Sequence, residues 1–252
     1  MGTNLVPFKP HAGISYWNQF DTFQMGLRES MLICSDIVEL EQIAKSGFPY
    51  EILNPVNRLS RPIYDKKISN EDQVFQAFLA ERFTHQKNVS HENVYYLNGT
   101  INLNELRDMK NFLQELQRRS ERLYFIQDFH ELLNAYINNF ENATLSCYNH
   151  IRNRPLIIES FNDAAVPFAR AEECDKVLCV SSNLVIEFEP TKYFQVVRLK
   201  GKKKTQLQLT VSDIFMNSLT ENRYRVQPLT SHEREDPQKI RQCYSEIITD
   251  LL

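Results

Sequence analysis

The spacing of hydrophobic residues divides this chain into two parts with different periods. Residues 100–154 contain neither glycine nor proline, the two residues that most often interrupt regular structure. Apolar residues recur there at intervals of three and four, as they do on one face of an α-helix. After Pro155 apolar and polar residues begin to alternate, which is the period of a β-strand. The pattern therefore predicts a helical core followed by strands.

The helical part is predicted to begin well before this core. Residues 15–46 have mostly helical spacing, with a bend at Gly26. Gly47, followed by Pro49, is typical of a helix end, because glycine adopts the left-handed conformation and proline cannot continue the helix. Residues 48–68 contain three prolines, so an extended connector is predicted there.

Two shorter signals lie between these helical segments. Ser69 and Asp72 are spaced as in a capping box, which predicts that a helix starts at this point. In residues 94–101 the pair Asn98-Gly99 suits a type I′ turn between β-favouring residues, which predicts a short hairpin. The alternative is a single short strand, with a loop that leads to a helix capped at Asn102.

The core without glycine or proline is predicted to be two helices, either antiparallel or kinked. The apolar stripe is interrupted around Ser120, so the bend is placed there. One long coiled coil is the alternative. It is less favoured because Ser120 and Gln127 fall where the seam of a coiled coil needs apolar residues.

The second part is predicted to be an antiparallel sheet closed by an amphipathic helix. The helix has Asp236 as its cap and Pro237 at its first position. The predicted strands cover residues 156–160, 176–181, 184–188, 193–200 and 205–211.

The predicted fold class is thus α+β. A mainly helical region of about residues 1–154 is followed by a β-rich module of residues 155–252. The two parts form either two domains or one continuous domain.

Composition limits the classes of function. The chain has 252 residues and a net charge of −3, which argues against a general affinity for nucleic acid. Its six glycines are all isolated, so the sequence contains none of the glycine-rich motifs that form phosphate-binding loops. This argues against dinucleotide-dependent enzymes, P-loop NTPases and typical α/β-hydrolases.

Further features bear on the cellular compartment. No apolar run reaches the roughly 18 residues of a membrane span, and Met1–Val6 lacks the order of a signal segment. The five cysteines are odd in number and irregularly spaced, which suits a reducing compartment. We therefore expect an intracellular protein, cytoplasmic or nuclear, without a transmembrane segment.

One pair of residues suggests nucleophilic catalysis. Cys147 and His150 are three residues apart on the predicted helix, close enough to meet, and nearby arginines would lower the thiol pKa. The alternative is a structural cysteine near a helix end. Cys174 and Cys179 have no second pair, and no His-Glu pair has the second histidine of a zinc protease. No metal site and no cofactor is predicted.

A basic turn is a candidate anion site. Its lysines are predicted to lie at the tip of a hairpin, where they could bind an anionic lipid headgroup or nucleic acid. The alternative is a solvated turn that discourages edge pairing. The residues are Lys200, Lys202, Lys203 and Lys204, around Gly201.

An aromatic cluster near the start of the chain is a candidate interaction site. It consists of Tyr16, Trp17, Phe20 and Phe23. Tyrosine and tryptophan are enriched at interaction hot spots, although the cluster could equally form the core of the first helix.

Taken together, these observations favour a non-enzymatic protein-interaction protein: an adaptor, scaffold subunit or effector whose partner is another protein. Two alternatives stay open. One is a cysteine-dependent hydrolase or transferase that uses Cys147 and His150, and the other is binding of anionic lipid or nucleic acid through the turn at Lys200–Lys204.

Overall fold

The computed structural model describes most of the chain up to residue 201 and a few short segments after it. The described residues are 5–63, 69–102, 106–119, 121–160, 164–180, 184–201, 210, 220–225, 236 and 238–239. The chain divides into two units, one of residues 1–162 and 167–169 and the other of residues 163–166 and 170–252. No helix of the described part is both long and apolar enough to cross a membrane.

A mixed sheet of five strands forms the centre of the first unit. In spatial order its strands are β2 (His11–Ser15), β3 (Val56–Ser60), β4 (Phe78–Gln86), β5 (His91–Asn98) and β6 (Arg122–Ile126). The three central strands run antiparallel to one another, whereas β2 lies parallel to β3 and β6 lies parallel to β5. A separate parallel pair is formed by β1 (Val6–Phe8) and β7 (Leu156–Ile158).

Helices cover both faces of this sheet. The helices of this unit are α1 (Phe20–Glu29), α2 (Ser35–Ala44), α3 (Tyr50–Leu53), α4 (Asn70–Ala77), α5 (Arg107–Arg118) and α6 (Phe129–Ile151), of which α2 packs mainly on β1. Successive side chains of a strand point to opposite faces. Leu59 accordingly joins the cluster that includes Phe112 of α5, whereas Val56 packs with Phe140 of α6.

The start of α6 is set by its own side chains. Asp128 Oδ1 accepts a hydrogen bond from the Glu131 N–H at 2.9 Å, and Glu131 Oε2 accepts one from the Gln127 N–H at 2.7 Å. The first backbone N–H groups of a helix have no partner within it, so these contacts stabilise the helix start. Ser69 does the same for α4, where its Oγ accepts from the Asp72 N–H at 3.1 Å, which confirms the predicted start.

The prediction of a mainly helical first part is wrong. Strands β1 to β7 all lie before residue 160. Two helices do occur in residues 100–154, but β6 lies between them where a bend near Ser120 was predicted. The segment Arg122–Ile126 is rich in tyrosine, phenylalanine and isoleucine, which favour strands. Its apolar positions also fit a helical period, so spacing alone could not identify the strand.

Three further predictions for the first part need correction. Residues 15–46 form two helices, because Ser30 adopts a left-handed conformation at the end of α1. The predicted hairpin at 94–101 is absent, since β5 ends at Asn98 and its neighbours in the sheet are β4 and β6. The predicted connector at 48–68 contains α3 and β3.

In the second unit, the described residues form an antiparallel sheet of three strands in the order β10 (Thr220–Arg225), β9 (Leu184–Phe188) and β8 (Val177–Val180). The predicted strands at 176–181 and 184–188 are confirmed.

The predicted strand at 193–200 is wrong, because these residues belong to α7 (Pro190–Gly201). Tyr193, Phe194 and Val197 are buried, and this spacing fits one face of a helix. The predicted strand at 205–211, apart from Thr210, and the C-terminal helix beyond Lys239 lie outside the described residues.

Candidate functional site

Strand β6 presents an apolar edge to solvent. It is the last strand of the five-stranded sheet, and within the described part of the chain no strand pairs with its outer side. Tyr124 is 48% exposed and Phe125 is 51% exposed, although both occupy the middle of a strand. An edge strand carries unpaired backbone N–H and C=O groups, which can pair with a further strand. We call Arg122–Ile126, with this open side, the β6 edge.

The two aromatic side chains of the β6 edge are held in place from opposite faces of the sheet. The Tyr124 ring stacks on Tyr96, with 5.2 Å between the ring centroids and 20° between the ring planes. The hydroxyl of Tyr96 in turn accepts a hydrogen bond from Asn139 Nδ2 at 3.0 Å. Phe125 lines a small apolar cavity with Leu113 of α5. Because both rings rest on packed neighbours, the exposed surface is ordered before any partner binds.

A second exposed aromatic surface lies at the other side of the sheet, next to β2. Of the four aromatic residues singled out in the sequence, Tyr16 and Phe23 are buried in the core. Trp17 is 63% exposed and Phe20 is 41% exposed. Both of these rings pack edge-on against Tyr16, with centroid distances of 5.8 and 5.9 Å. The cluster thus contributes two residues to the core and two to the surface.

A polar pocket of about 470 Å³ lies beside β1 and β2. Lys9 lies in its wall, with only 5% of its surface exposed, and its ammonium group contacts two carboxylates. Lys9 Nζ donates to Asp36 Oδ2 and, at 2.9 Å, to Glu159 Oε1. Lys9 and Glu159 are brought together because β1 and β7 run parallel, and each residue directly follows its strand.

The charges of this pocket stabilise one another. Burial opposes ionisation of Lys9, but hydrogen bonds to Asp36 and Glu159 outweigh it and raise the lysine pKa above its usual 10.5. Burial also opposes ionisation of Asp36, yet the hydrogen bond and positive charge of Lys9 lower its pKa below 3.8. Both groups therefore stay charged at neutral pH. A general acid or base works best with a pKa near the working pH, and both shifts are in the opposite direction.

The structure does not bring Cys147 and His150 together as a catalytic pair. Cys147 is completely buried on α6 and donates a hydrogen bond from Sγ to the carbonyl oxygen of Thr84 at 3.4 Å. Burial raises the pKa of its thiol to about 12, so the thiolate is scarce at neutral pH. His150 is exposed, and its ring packs edge-on against Phe48. The cysteine mechanism stays a prediction that this geometry does not favour.

Of the basic turn, only the first lysine falls within the described residues. Lys200 is half-buried in the last turn of α7, so the strand predicted to lead into the turn is a helix. Lys202, Lys203 and Lys204 lie outside the described residues. Anion binding by this segment stays a prediction.

Sequence reasoning missed both the β6 edge and the charged pocket. The run Leu123-Tyr124-Phe125 has strong strand propensity, and this signal could have identified β6. Lys9 and Glu159 are 150 positions apart, so no local pattern relates them. Among the described residues, no group of three or more histidine, cysteine, aspartate or glutamate side chains is placed to hold a metal ion.

Comparison of the whole chain with protein-family models, with curated proteins and with solved structures finds no match in any of the three.

Proposed function

We propose that this protein is a non-enzymatic protein-interaction protein, an adaptor, scaffold subunit or effector, that binds another protein through the β6 edge. The observation that carries the proposal is the pair Tyr124 and Phe125, two half-exposed aromatic residues on the open side of an edge strand. A partner strand added to this edge would gain main-chain hydrogen bonds, while its side chains would contact the aromatic residues on both faces.

The nature of the edge supports this mode of binding. Soluble proteins commonly protect edge strands with lysine, proline, bulges or a covering segment. The three central residues, Leu123-Tyr124-Phe125, include no charge and no proline. Aromatic side chains bury roughly 150–250 Å² each when they are covered, so two of them make a substantial anchor. The partner we propose is therefore an extended segment with apolar side chains at its centre.

The charged pocket supports a structural role better than catalysis. Lys9 links α2 to the end of β7 through Asp36 and Glu159, and both of its hydrogen bonds are to charged groups. Such hydrogen bonds contribute about 1.5–3 kcal/mol each when shielded and less when a partner is half-exposed, as here.

Site-specific photo-cross-linking tests the proposal. A photoreactive residue is placed at position 124 in one protein and at position 89 in a control. Val89 is 98% exposed in the loop between β4 and β5, so it provides a matched solvent-facing site. Proteins that cross-link in cells from position 124 and not from position 89 are identified, and one is purified for binding measurements.

The purified partner is then titrated with wild-type protein, Phe125→Lys and Val89→Lys. We expect Phe125→Lys to weaken binding at least about tenfold, because a charge is buried in the apolar interface. Val89→Lys should bind as the wild type does. Equal binding by all three proteins would refute docking at the β6 edge. Trp17→Ser is titrated in the same way, and a loss of binding in this variant alone would assign the partner to the Trp17–Phe20 surface instead.

A further inference from the structure

We infer that the partner strand at the β6 edge is β6 of a second copy of this chain, paired antiparallel about a twofold axis at Tyr124. This inference rests on the proposed function and names the partner. A twofold interface requires a surface that is complementary to itself. The β6 edge meets this requirement in its side chains and in its charges.

The side-chain sequence of β6 is self-complementary in this register. Antiparallel pairing centred on Tyr124 places Leu123 of each copy opposite Phe125 of the other, and Arg122 opposite Ile126. Apolar residues thus face apolar residues at the three central positions. Leu123 and Phe125 lie on the face covered by α5, so two such pairs would form one apolar patch next to the cavity that Phe125 lines.

On the opposite face the twofold axis brings the two Tyr124 rings together. Each ring already stacks on Tyr96 of its own copy. Pairing would therefore join two stacked tyrosine pairs into a row of four rings across the interface. Aromatic cross-strand pairs stabilise sheets, and the burial of half-exposed rings adds to this.

Charges at the two ends of β6 favour the antiparallel direction. The exposed charged residues at the start of the strand are Arg118, Arg119 and Arg122, whereas Glu115 and Glu121 nearby are half-buried. The exposed charged residues that follow its end are Asp128 and Glu131. Antiparallel pairing places the basic end of one copy beside the acidic end of the other, and the twofold axis repeats this contact. Parallel pairing would instead place like charges together. The charges therefore favour antiparallel pairing of the two β6 strands, as the apolar residues do.

These charged groups remain able to form contacts between copies. Arg118 pairs with Glu115 at 2.7 Å and Arg122 pairs with Glu92 at 2.5 Å. Both arginines are well exposed, and exposed ion pairs contribute little. The arginines can therefore contact acidic groups of a second copy without loss of a strong internal contact.

The first experiment measures the mass of the full chain in solution over a wide range of concentration. We expect a dimer, twice the 29.7 kDa of the chain, that dissociates on dilution. Phe125→Lys should raise the dissociation constant about a hundredfold, since a twofold dimer contains the introduced lysine twice, once in each copy. Val89→Lys should leave the dissociation constant unchanged, and circular dichroism shows whether each variant is folded.

A second experiment tests the register and does not depend on Phe125→Lys. In the proposed register Tyr124 faces Tyr124 of the other copy, at a distance that a disulfide can span. Under mild oxidation Tyr124→Cys should form a disulfide-linked dimer, and Val89→Cys should not.

Three results would overturn the inference: a wild-type monomer at every concentration, a dimer that persists in folded Phe125→Lys, or equal cross-linking of the two cysteine variants. A wild-type monomer whose position 124 still cross-links to a different protein would remove the second copy and leave the proposed function intact. Loss of both the dimer and that cross-link would remove both.

Discussion

Arg58 and Glu81 face each other across β3 and β4 and form a two-pronged ion pair within the sheet. Arg58 Nε donates to Glu81 Oε1 at 3.0 Å, and Nη2 donates to Oε2 at 2.9 Å. Glu81 is completely buried. These two residues are also direct partners in the strand register. A shift of one residue would move both side chains to the opposite face, so the ion pair and the register specify each other.

We predict that Glu81→Leu destabilises the protein by about 3–5 kcal/mol, because the largely buried charge of Arg58 loses its partner. The double variant Arg58→Leu/Glu81→Leu should recover most of this loss, since neither charge then remains. Denaturant unfolding of the four proteins in this cycle measures the coupling. A double variant as unstable as the sum of the two single variants would show that the pair is not coupled.

We expect the protein to lose stability in mild acid because of buried His11. Burial, together with the positive charges of Arg58 and Lys9, lowers the pKa of His11 from 6.5 to about 3. Below pH 6.5 His11 is protonated in the unfolded chain but stays neutral in the folded protein. The unfolding free energy therefore falls as the pH drops towards 3. The slope from this residue reaches at most about 1.4 kcal/mol per pH unit.

The variant His11→Leu provides the control for that measurement. Between pH 6.5 and about pH 3, the unfolding free energy of His11→Leu should change less than that of the wild type. Parallel pH profiles for the two proteins would contradict the assigned shift.

The ion pair of Lys9 with Asp36 should contribute to stability over a wide range of pH. The raised lysine pKa means that its contribution is complete below pH 10.5 and is lost as the pH rises through the folded value. The lowered pKa of Asp36 means that its contribution is complete above pH 3.8 and is lost as the pH falls through the folded value.

Lys9→Met should therefore be less stable than the wild type by about 1–2 kcal/mol at neutral pH, a figure reduced because the carboxylates are half-exposed. The difference in unfolding free energy should shrink below pH 3.8 and above pH 10.5. A difference that stays constant into strong acid or base would mean that lost packing of the lysine stem, and not charge, explains it.

Phe112 should be among the most sensitive positions of the core. It is fully buried on α5, and its ring packs edge-on against Phe23 and Tyr95, each with a centroid distance of 6.1 Å. Phe112→Ala should reduce the unfolding free energy by about 3–5 kcal/mol, through lost burial and the cavity left behind. Val89→Ala should change it by less than about 0.5 kcal/mol. A similar loss of unfolding free energy in both variants would contradict the position of Phe112 in the core.

Thiol labelling followed by peptide mass spectrometry tests the chemistry of Cys147. Burial raises the pKa of its thiol to about 12, so we expect no labelling of Cys147 in the native protein near neutral pH and full labelling of Cys147 after unfolding. Cys174 and Cys179, which are only partly buried, should react before Cys147. Selective labelling of native Cys147 below pH 7 would instead support the cysteine mechanism predicted from the sequence.

Local signals in the sequence were reliable where few residues decide the conformation. Ser69 predicts the start of α4 because its hydroxyl accepts a hydrogen bond from the Asp72 N–H, one of the first N–H groups of the helix. The alternation in residues 184–188 predicts β9, although Val185 and Glu187 on the other face of the strand are buried as well as Ile186 and Phe188. Between Tyr193 and Lys200 the same kind of argument failed, because short apolar runs fit both periods and Glu189 caps a helix there through the N–H groups of Thr191 and Lys192.

The candidate sites were less accessible to sequence reasoning than the elements that carry them. Trp17 and Phe20 were named as an aromatic surface, but nothing local separates them from buried Tyr16 and Phe23. Whether each aromatic side chain is exposed depends on whether it points towards the core or towards solvent in the folded protein. Cys147 and His150 have suitable spacing on one helix, yet the packing of α6 on the sheet buries the first and exposes the second.

The α+β class, the starts of several helices and strands, and the lack of glycine-rich phosphate loops all follow from the sequence. Three features depend instead on contacts between distant parts of the chain: Arg122–Ile126 is a strand, its aromatic residues lie on an edge of the described sheet, and Lys9 contacts Glu159. The difference lies in the range of the interactions. Caps and turns act within a few residues, whereas a short strand is stabilised by the neighbour with which it pairs, and that neighbour can lie anywhere along the chain.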